Sequence, residues 1–247
     1  MSRQFDERCA IEQFLQQTLD LTGEIDQALA VAERAYRRAC DLAQPLAIAG
    51  TLCHLCLTKL RLKLPCNDES KAFLAITEQY RLPFWKIWAT YCCALASNNT
   101  SEKTRIVVNR SREQLQSMGV KLGLSSIMVA EAKLLLTQHK PAEALRLISD
   151  AKIYLDETSE RYYESEIFRL EGEVYRSTQE TEQAEACYRN ALTIATEQHA
   201  AWWQLQAAIS LYSLKNEEPD IRQALETIYE KFRNYDLPDV KAAAKLL

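Results

Sequence analysis

Glycine and proline are scarce in this 247-residue sequence, which contains only 5 and 6 of them. Sheet proteins depend on many tight turns, and these two residue types provide much of the backbone geometry that turns require. The shortage therefore disfavours an all-β protein. Nucleotide chemistry is disfavoured as well, because no G-x-x-x-x-G-K-[ST] phosphate-binding loop occurs in the chain.

A long apolar run and a strongly basic composition are also missing. The most apolar segment, PLAIAGTLCHLCL, is interrupted by Thr51 and His54 and is shorter than the roughly 18 residues that span a membrane. The net charge is −4 and the pI is about 5.6, whereas nucleic-acid-binding domains are usually basic. We expect neither a membrane span nor a nucleic-acid partner. We interpret the basic residues of the first quarter as solvated helix faces: Arg34, Arg37, Arg38, Lys59, Arg61 and Lys63.

Charged residues occupy the start of the chain, MSRQFDERCAIEQ, where a secretory signal peptide needs an apolar core. This predicts a cytoplasmic protein, in which thiols stay reduced. The 8 cysteines fit that setting as small buried hydrophobes. One motif, CHLC at Cys53 and Cys56, has a metal-like spacing that Cys66, Cys92 and Cys93 would complete. Because leucines continue the apolar pattern through this motif, we expect burial and no metal or other cofactor, with metal binding and redox sensing as alternatives.

Ala, Leu, Glu, Gln and Arg are abundant, and these residues favour helices. Apolar residues recur at helical spacing between short polar breaks, while no segment has the alternation of a strand. The predicted helices cover roughly 5–20, 24–43, 46–63, 69–80, 84–97, 101–117, 122–138, 141–156, 161–178, 181–197, 200–215, 219–233 and 238–246. The predicted fold class is all-α.

Several of these helices share a pattern of small and larger apolar residues at i, i+4 and i+7. The sets are Ala28, Ala32 and Ala35; Ala144, Ile148 and Ala151; and Ala184, Tyr188 and Ala191. Ala144, Ala184 and Ala224 recur every 40 residues, and Ala72 follows Ala28 by 44. A period of this length is typical of helical hairpins that stack on their neighbours. We therefore predict that residues 1–247 form a single right-handed tetratricopeptide-like solenoid of about six hairpins, with a capping helix at Leu237 to Leu247.

A glycine lies within one predicted helix, in the segment FRLEGEVYRS. The first helix of a tetratricopeptide-type hairpin needs a small residue where the second helix crosses it, with an aromatic residue about a turn later. Gly172 and Tyr175 occupy those places, followed by Ala184, Tyr188 and Ala191 in the second helix. We interpret Gly172 as making room for the neighbouring helix, at a cost of about 1 kcal/mol in helix propensity.

The segment ERYYESEIFRLEGEVYRSTQETEQAEACYRNALTIATEQHAAWWQLQAAISLYSL carries a family resemblance. It resembles the C-terminal repeat region of bacterial proteins that join a class III adenylate/guanylate cyclase domain to a predicted ATPase and a tetratricopeptide-like tail. Related tails occur in signal-transducing ATPase regulators of transcription. The resemblance covers most of residues 24–247, including EQYRLPFWKIWATY and YDLPDVKAAAKLL. Its matching residues are Arg161, Glu164, Glu166, Arg169, Gly172, Trp203 and Leu205, whereas Gln206 replaces a usual arginine and the run of cysteines is unusual.

A binding surface is predicted within the same segment. Glu166, Arg169, Glu173 and Arg176 recur at i+3 and i+4, which places them on one helix face. If first helices line the inner wall, these residues form a polar stripe in the groove; the alternative is a solvated ladder of ion pairs. Trp202 and Trp203 are adjacent, so we expect Trp203 to pack inside and Trp202 to be exposed beside Gln206.

No catalytic grouping stands out, since His54, His139 and His199 lie far apart in sequence and lack i+4 partners. The sequence therefore predicts a protein without enzymatic activity, which presents a concave groove to a protein or peptide partner in signal transduction. Two alternatives remain: a module that senses a small molecule for a signalling ATPase, or a detached C-terminal segment of an adenylate/guanylate cyclase. The oligomeric state is not predicted.

Overall fold

The computed structural model describes residues 6–215 and 218–247, and every regular element in these ranges is an α-helix. These ranges contain thirteen helices, one for each segment that the sequence predicts, and no strand. The all-α class is confirmed. No helix within the described ranges is long and apolar enough to cross a membrane.

The helices belong to two compact units, Met1–Asn99 and Thr100–Leu247. Unit 1 contains α1 (Glu7–Thr22), α2 (Ile25–Asp41), α3 (Pro45–Arg61), α4 (Asn67–Gln79) and α5 (Pro83–Ala96). Unit 2 contains α6 (Glu102–Ser117), α7 (Leu124–Thr137), α8 (Pro141–Thr158), α9 (Glu164–Ser177), α10 (Thr181–Glu197), α11 (Ala201–Leu214), α12 (Pro219–Phe232) and α13 (Pro238–Leu246).

The helix ends explain how a chain with so little glycine turns so often. Pro45, Pro83 and Pro141 each begin a helix, where the absent N–H is no loss. At the other end, eight residues other than glycine adopt the left-handed conformation that usually favours glycine, with φ between 49° and 66°. They are Ala43, Lys63, Arg81, Asn98, His139, Ser159, Gln179 and His199.

Within each unit, every helix packs against the next one in the chain. The odd-numbered helices also contact one another: α1 with α3 and α3 with α5 in unit 1, and α7 with α9, α9 with α11 and α11 with α13 in unit 2. Among the described residues, no two even-numbered helices of the same unit are in contact. The odd-numbered helices therefore form a continuous layer in each unit, as is typical of stacked helical hairpins.

The three predicted apolar sets are buried, but the repeat spacing holds only in part. Ala144 and Ala184 are both fully buried, as expected for anchor residues of a repeat. Ala224 is only half-buried, and the adjacent Leu225 takes the core position. Ala72 is exposed and Phe73 is buried in its place. The prediction was wrong at these two anchors because α4 and α12 each bury the next residue in the chain, about a quarter-turn away around the helix.

Gly172 lies where α9 meets α10. A β-carbon at this position would lie 2.5 Å from Cε1 and 2.6 Å from Cδ1 of Tyr188, and 3.1 Å from the carbonyl oxygen of Ala184. Distances below 3.0 Å are far inside van der Waals contact, so glycine is required by packing. The expected neighbouring helix is confirmed, although an aromatic ring, more than the backbone, fills the space that glycine leaves.

Candidate functional site

A row of five charged side chains and one serine connects α7, α9 and α11 in unit 2, and we call it the polar ladder. It consists of Lys133, Glu166, Arg169, Glu173, Arg176 and Ser210. Four of the six residues lie on α9, where spacings of three and four residues bring them to one face. The ladder therefore lies on the layer of odd-numbered helices.

Positive and negative side chains alternate along the polar ladder. Lys133 Nζ lies 2.7 Å from Glu166 Oε1, and the Arg169 guanidinium donates to both oxygens of Glu166 at 2.7 and 2.9 Å. Arg169 Nη1 also donates to Glu173 Oε1 at 2.9 Å, and Arg176 Nη2 lies 2.7 Å from Glu173 Oε2. Such charge-assisted, bidentate contacts are stronger and more directional than neutral hydrogen bonds.

Ser210 ties the third helix into this network. Its Oγ accepts a hydrogen bond from Arg169 Nη1 at 3.0 Å and donates one to Glu173 Oε1 at 2.9 Å. Since Lys133 comes from α7 and Ser210 from α11, Glu166, Arg169 and Glu173 of α9 link three successive odd-numbered helices. The network thus fixes the register of these three helices relative to one another.

Burial divides the ladder into an inner and an outer part. The side chains of Glu166, Arg169 and Glu173 are 1%, 12% and 18% exposed, whereas those of Lys133 and Arg176 are 46% and 47% exposed. Both acidic groups therefore lie inside, and the two end cations face solvent. Surface ligands would meet positive charge first.

Electrostatics keeps the inner part ionised. Burial alone would raise the pKa of Glu166, but the charges of Arg169 and Lys133 outweigh it and lower this pKa to about 2. Burial would lower the pKa of Arg169, yet Glu166 and then Glu173 raise it above its ordinary value. A buried pair of this kind is strongly destabilising when one partner is removed, typically by 3–5 kcal/mol.

The structure changes the roles predicted for the stripe. Glu166 was expected on a groove face or in a solvated ladder, but it is buried because α7 and α11 cover that side of α9. Glu173 and Arg169 are mostly covered, and Arg176 remains exposed as expected. Gln206 is half-buried, and its amide nitrogen is shielded from solvent without a hydrogen-bond acceptor.

The prediction that Trp202 is exposed was wrong. Trp202 and Trp203 are 1% and 2% exposed, so both are core residues. Trp202 packs edge-on against Phe232, with ring centroids 5.6 Å apart, and Trp203 Nε1 donates to the carbonyl oxygen of Tyr162 at 2.9 Å. Adjacent side chains can both be buried here because α11 contacts α9, α10, α12 and α13, which cover opposite sides of the helix.

Sequence reasoning missed Lys133 and Ser210, two members of the polar ladder. Lys133 lies 33 residues before its partner Glu166, and Ser210 lies 41 residues after Arg169. Both separations approximate one repeat, so they could have been found by aligning the first helices of successive hairpins and looking for facing polar residues.

The cysteines form no metal site in the parts of the chain that the structure describes. No group of three or more His, Cys, Asp or Glu side chains in these parts is arranged to hold a metal ion. All eight thiols are free, and Cys53, Cys56, Cys66 and Cys92 are buried in unit 1. Burial raises the pKa of Cys53 well above its ordinary value. The pKa of Cys66 is also raised, mainly by a hydrogen bond with the Cys56 thiol and secondly by burial. Protonated, buried thiols of this kind are poor nucleophiles.

The three histidines have separate surroundings. His139 and His199 occupy left-handed positions just after α7 and α10, so they serve as helix-end residues. His54 lies on α3, its Nδ1 is 2.9 Å from Gln17 Nε2, and burial lowers its pKa to about 4. His54 is therefore neutral at physiological pH.

No known family model matches this sequence, and a comparison with curated proteins finds no match either.

Proposed function

We propose that the protein is a non-catalytic, right-handed tetratricopeptide-like scaffold that recognises a protein or peptide partner through the odd-numbered helices of unit 2. The observation that supports this most is the asymmetry of the polar ladder, which exposes Lys133 and Arg176 while burying the carboxylates that pair with them. The proposal that residues 1–247 act as a single solenoid in cytoplasmic signal transduction rests on the repeat pattern and the family resemblance.

The buried residues of the polar ladder stabilise the fold, and its exposed residues recognise the partner. Glu166 and Arg169 are too deeply covered to meet a partner directly, so their role is to hold α7, α9 and α11 in register. Lys133 and Arg176 are half-exposed and already oriented by their ion pairs, which reduces the entropy lost when a partner binds. A partner that excludes water from these two cations strengthens its own contacts to them.

The matching helix layer gives the partner a continuous surface. Because α9 contacts both α7 and α11, Lys133 of α7 and Arg176 of α9 belong to one surface within unit 2. Helical-repeat proteins commonly bind extended segments along such a layer. Charged side chains at its edge contribute to association rate and specificity more than to raw affinity.

The test is a comparative capture from native cytoplasm with a charge-reversed variant, Lys133→Glu with Arg176→Glu. Arg169 is left intact so that Glu166 and Glu173 keep their buried cation. The matched control, Arg222→Glu with Lys241→Glu, reverses two cations of unit 2 that are also half-exposed or more and also ion-paired. Bound proteins are identified and quantified by mass spectrometry, and helicity is checked by circular dichroism.

We expect a specific set of proteins to bind the wild type and the control equally and to be at least tenfold depleted on the ladder variant. If the ladder variant and the control retrieve the same proteins at wild-type yield, Lys133 and Arg176 are only solvated charges and the proposal is wrong.

A further inference from the structure

A lysine and a cysteine meet at one carboxylate oxygen in unit 2. Lys152 Nζ donates to Glu171 Oε2 at 2.5 Å, and Cys187 Sγ donates to the same oxygen at 3.4 Å. Lys152 lies on α8, Glu171 on α9 and Cys187 on α10, and both even-numbered helices pack on α9. Glu171 therefore brings an amine and a thiol from two different helices to one point. We call these three residues the Lys–Glu–Cys cluster.

The Lys–Glu–Cys cluster is separate from the polar ladder. Glu171 lies two residues from Arg169 and two from Glu173, so its side chain projects from a different face of α9. Its partners come from α8 and α10, whereas the ladder reaches α7 and α11. The two sets share no residue, and an inference about the cluster does not depend on the function proposed for the ladder.

The cluster is partly covered but not sealed. Lys152 is 29% exposed and Glu171 is 14% exposed, and Cys187 is partly buried. The ring of Phe168 adds a further restraint, because Lys152 Nζ lies 4.2 Å from its centroid. A small reagent can therefore reach side chains whose positions are already restricted. Such positioning is the main advantage that a reaction between two groups of one molecule has over a reaction in free solution.

Glu171 is placed to move the protons of both nucleophiles. Burial and then the charge of Glu171 raise the pKa of Cys187 to about 12, so this thiol is protonated at rest. A protonated thiol attacks a carbonyl carbon when an adjacent base takes its proton as the new bond forms, and Glu171 already accepts the S–H hydrogen bond. The same carboxylate accepts a hydrogen bond from the Lys152 ammonium, which must lose a proton before its nitrogen can attack.

We propose that Lys152 is an acylation site, at which a small acyl thioester first acylates Cys187 and the acyl group then passes to Lys152. The choice of a thioester follows from the pair of nucleophiles. Thioesters exchange their acyl group readily with thiols, and an amide is more stable than a thioester. Transfer to Cys187 is therefore reversible, whereas transfer from Cys187 to Lys152 traps the acyl group.

The two steps balance in atoms and protons. In the first, Cys187 Sγ forms a bond to the carbonyl carbon, the bond from that carbon to the donor sulfur breaks, and the thiol proton passes through Glu171 to the leaving thiolate. In the second, Lys152 gives one proton to Glu171 and its nitrogen forms the amide bond. The bond to Cys187 Sγ then breaks, and this sulfur takes the second proton from the nitrogen. Glu171 releases its proton to solvent, so one thioester and one ammonium give one amide, one thiol and one proton.

Acylation changes the contacts between α8 and α9. It removes the positive charge of Lys152, so that Glu171 loses this ion pair and the Phe168 ring loses the cation beside it. Because Glu171 is mostly covered, we expect the acylated protein to melt at a lower temperature than the unmodified protein.

The test exposes the folded full-length protein to S-acetyl-N-acetylcysteamine, a small acetyl thioester, and follows the acetylation of each lysine by mass spectrometry. Lys215 is the internal control. It is 35% exposed, its Nζ lies 2.9 Å from Glu185 Oε2, and the ionisable groups that act on it are Glu185, Glu218 and Arg189. Lys152 and Lys215 thus share a similar exposure and a carboxylate partner, and they differ in the thiol beside Lys152.

Three variants separate the two steps. Cys187→Ser keeps a hydrogen-bonding hydroxyl and removes the thiol, and Cys40→Ser is its matched control because it removes an exposed thiol of unit 1. Lys152→Arg keeps a cation for Glu171 and removes the amine that accepts the acyl group. Circular dichroism checks the helicity of each variant.

We expect Lys152 to be acetylated at least tenfold faster than Lys215 in the wild type and in Cys40→Ser. Cys187→Ser should slow acetylation of Lys152 at least tenfold. In Lys152→Arg, the acetyl group should accumulate on Cys187 as a thioester that neutral hydroxylamine removes. Equal rates at Lys152 and Lys215, or an unchanged rate at Lys152 in Cys187→Ser, would overturn the proposal. A lack of acetyl thioester on Cys187 in Lys152→Arg would also overturn it, even if Cys187→Ser failed to fold.

Discussion

Replacing Gly172 by alanine tests the packing of α9 on α10 through opposing effects of known size. Alanine favours a helix by about 1 kcal/mol over glycine, so at an unobstructed helical site the substitution stabilises. Here the added β-carbon would lie 2.5 Å from a ring carbon of Tyr188, which is fully buried, and 3.1 Å from the backbone oxygen of Ala184. Overpacking of this kind costs typically 1–3 kcal/mol, and two overlapping ring carbons favour the upper end. We expect a net loss of about 2 kcal/mol in the free energy of unfolding.

A double-mutant cycle isolates the responsible contact. Tyr188→Ala alone should destabilise by roughly 3–5 kcal/mol, because it opens a cavity between the two helices. In that background the ring is gone, so Gly172→Ala should be neutral or stabilising by up to about 1 kcal/mol. Urea unfolding followed by circular dichroism measures all four proteins. A helix-interior control is Gly50→Ala in α3, whose nearest contact is the flexible amide of Gln13 at 3.0 Å.

The result that would refute the packing argument is a Gly172→Ala protein that is as stable as the wild type or more stable. A destabilisation that persists undiminished in the Tyr188→Ala background would also contradict it, because the ring would then not be its cause. We expect Gly50→Ala to change stability by less than about 1 kcal/mol, since a side-chain amide can move aside.

Three further predictions concern the burial of Trp202, the ionisation of Glu166 and the accessibility of the thiols. Trp202→Ala should lower the free energy of unfolding by about 3–5 kcal/mol through loss of its packing on Phe232; an unchanged melting temperature would mean that Trp202 is exposed after all. The pKa of Glu166 is lowered from 4.5 to about 2, so the stability that its carboxylate contributes is complete above pH 4.5 and is lost as the pH falls towards 2. The free energy of unfolding, measured by circular dichroism at a series of pH values, should therefore fall less between pH 4.5 and pH 2 in Glu166→Gln than in the wild type, each relative to its own value at neutral pH. An equal fall in the two proteins would refute the assignment. The exposed thiol of Cys40 should react first with a thiol reagent such as DTNB under native conditions, while the five buried thiols react only on unfolding; rapid reaction of all eight would contradict their burial.

Much of the fold was predictable because its signals are local. Helical periodicity, proline at the first helical position and the scarcity of turn residues all act within a few residues of each other, and they predicted thirteen helices. Gly172 was also predictable, since a glycine within an apolar helix pattern needs a packing reason.

The details that failed depend on neighbours that are distant in sequence. Trp202 was expected to be exposed because a lone helix has one buried side, but α11 has neighbours on opposite sides. The local spacing of Glu166 predicts a surface residue. In the structure, however, it pairs with a lysine about one repeat earlier, and its partner Arg169 contacts a serine about one repeat later. The burial of polar residues on α1 was equally unpredictable, because the partners of Gln16 and Asp20 lie on α3.

The central claim, that the exposed cations of the polar ladder meet a partner, is tested most directly by lysine footprinting. The wild-type protein is acetylated with a dilute N-hydroxysuccinimide ester, alone and in complex with the partner identified by capture, and each lysine is quantified by mass spectrometry. Lys133 is 46% exposed and Lys241 is 63% exposed, so both should react in the free protein. We predict that the complex protects Lys133 at least fivefold and leaves Lys241 unchanged. Equal labelling of Lys133 in the free and bound protein would contradict the account.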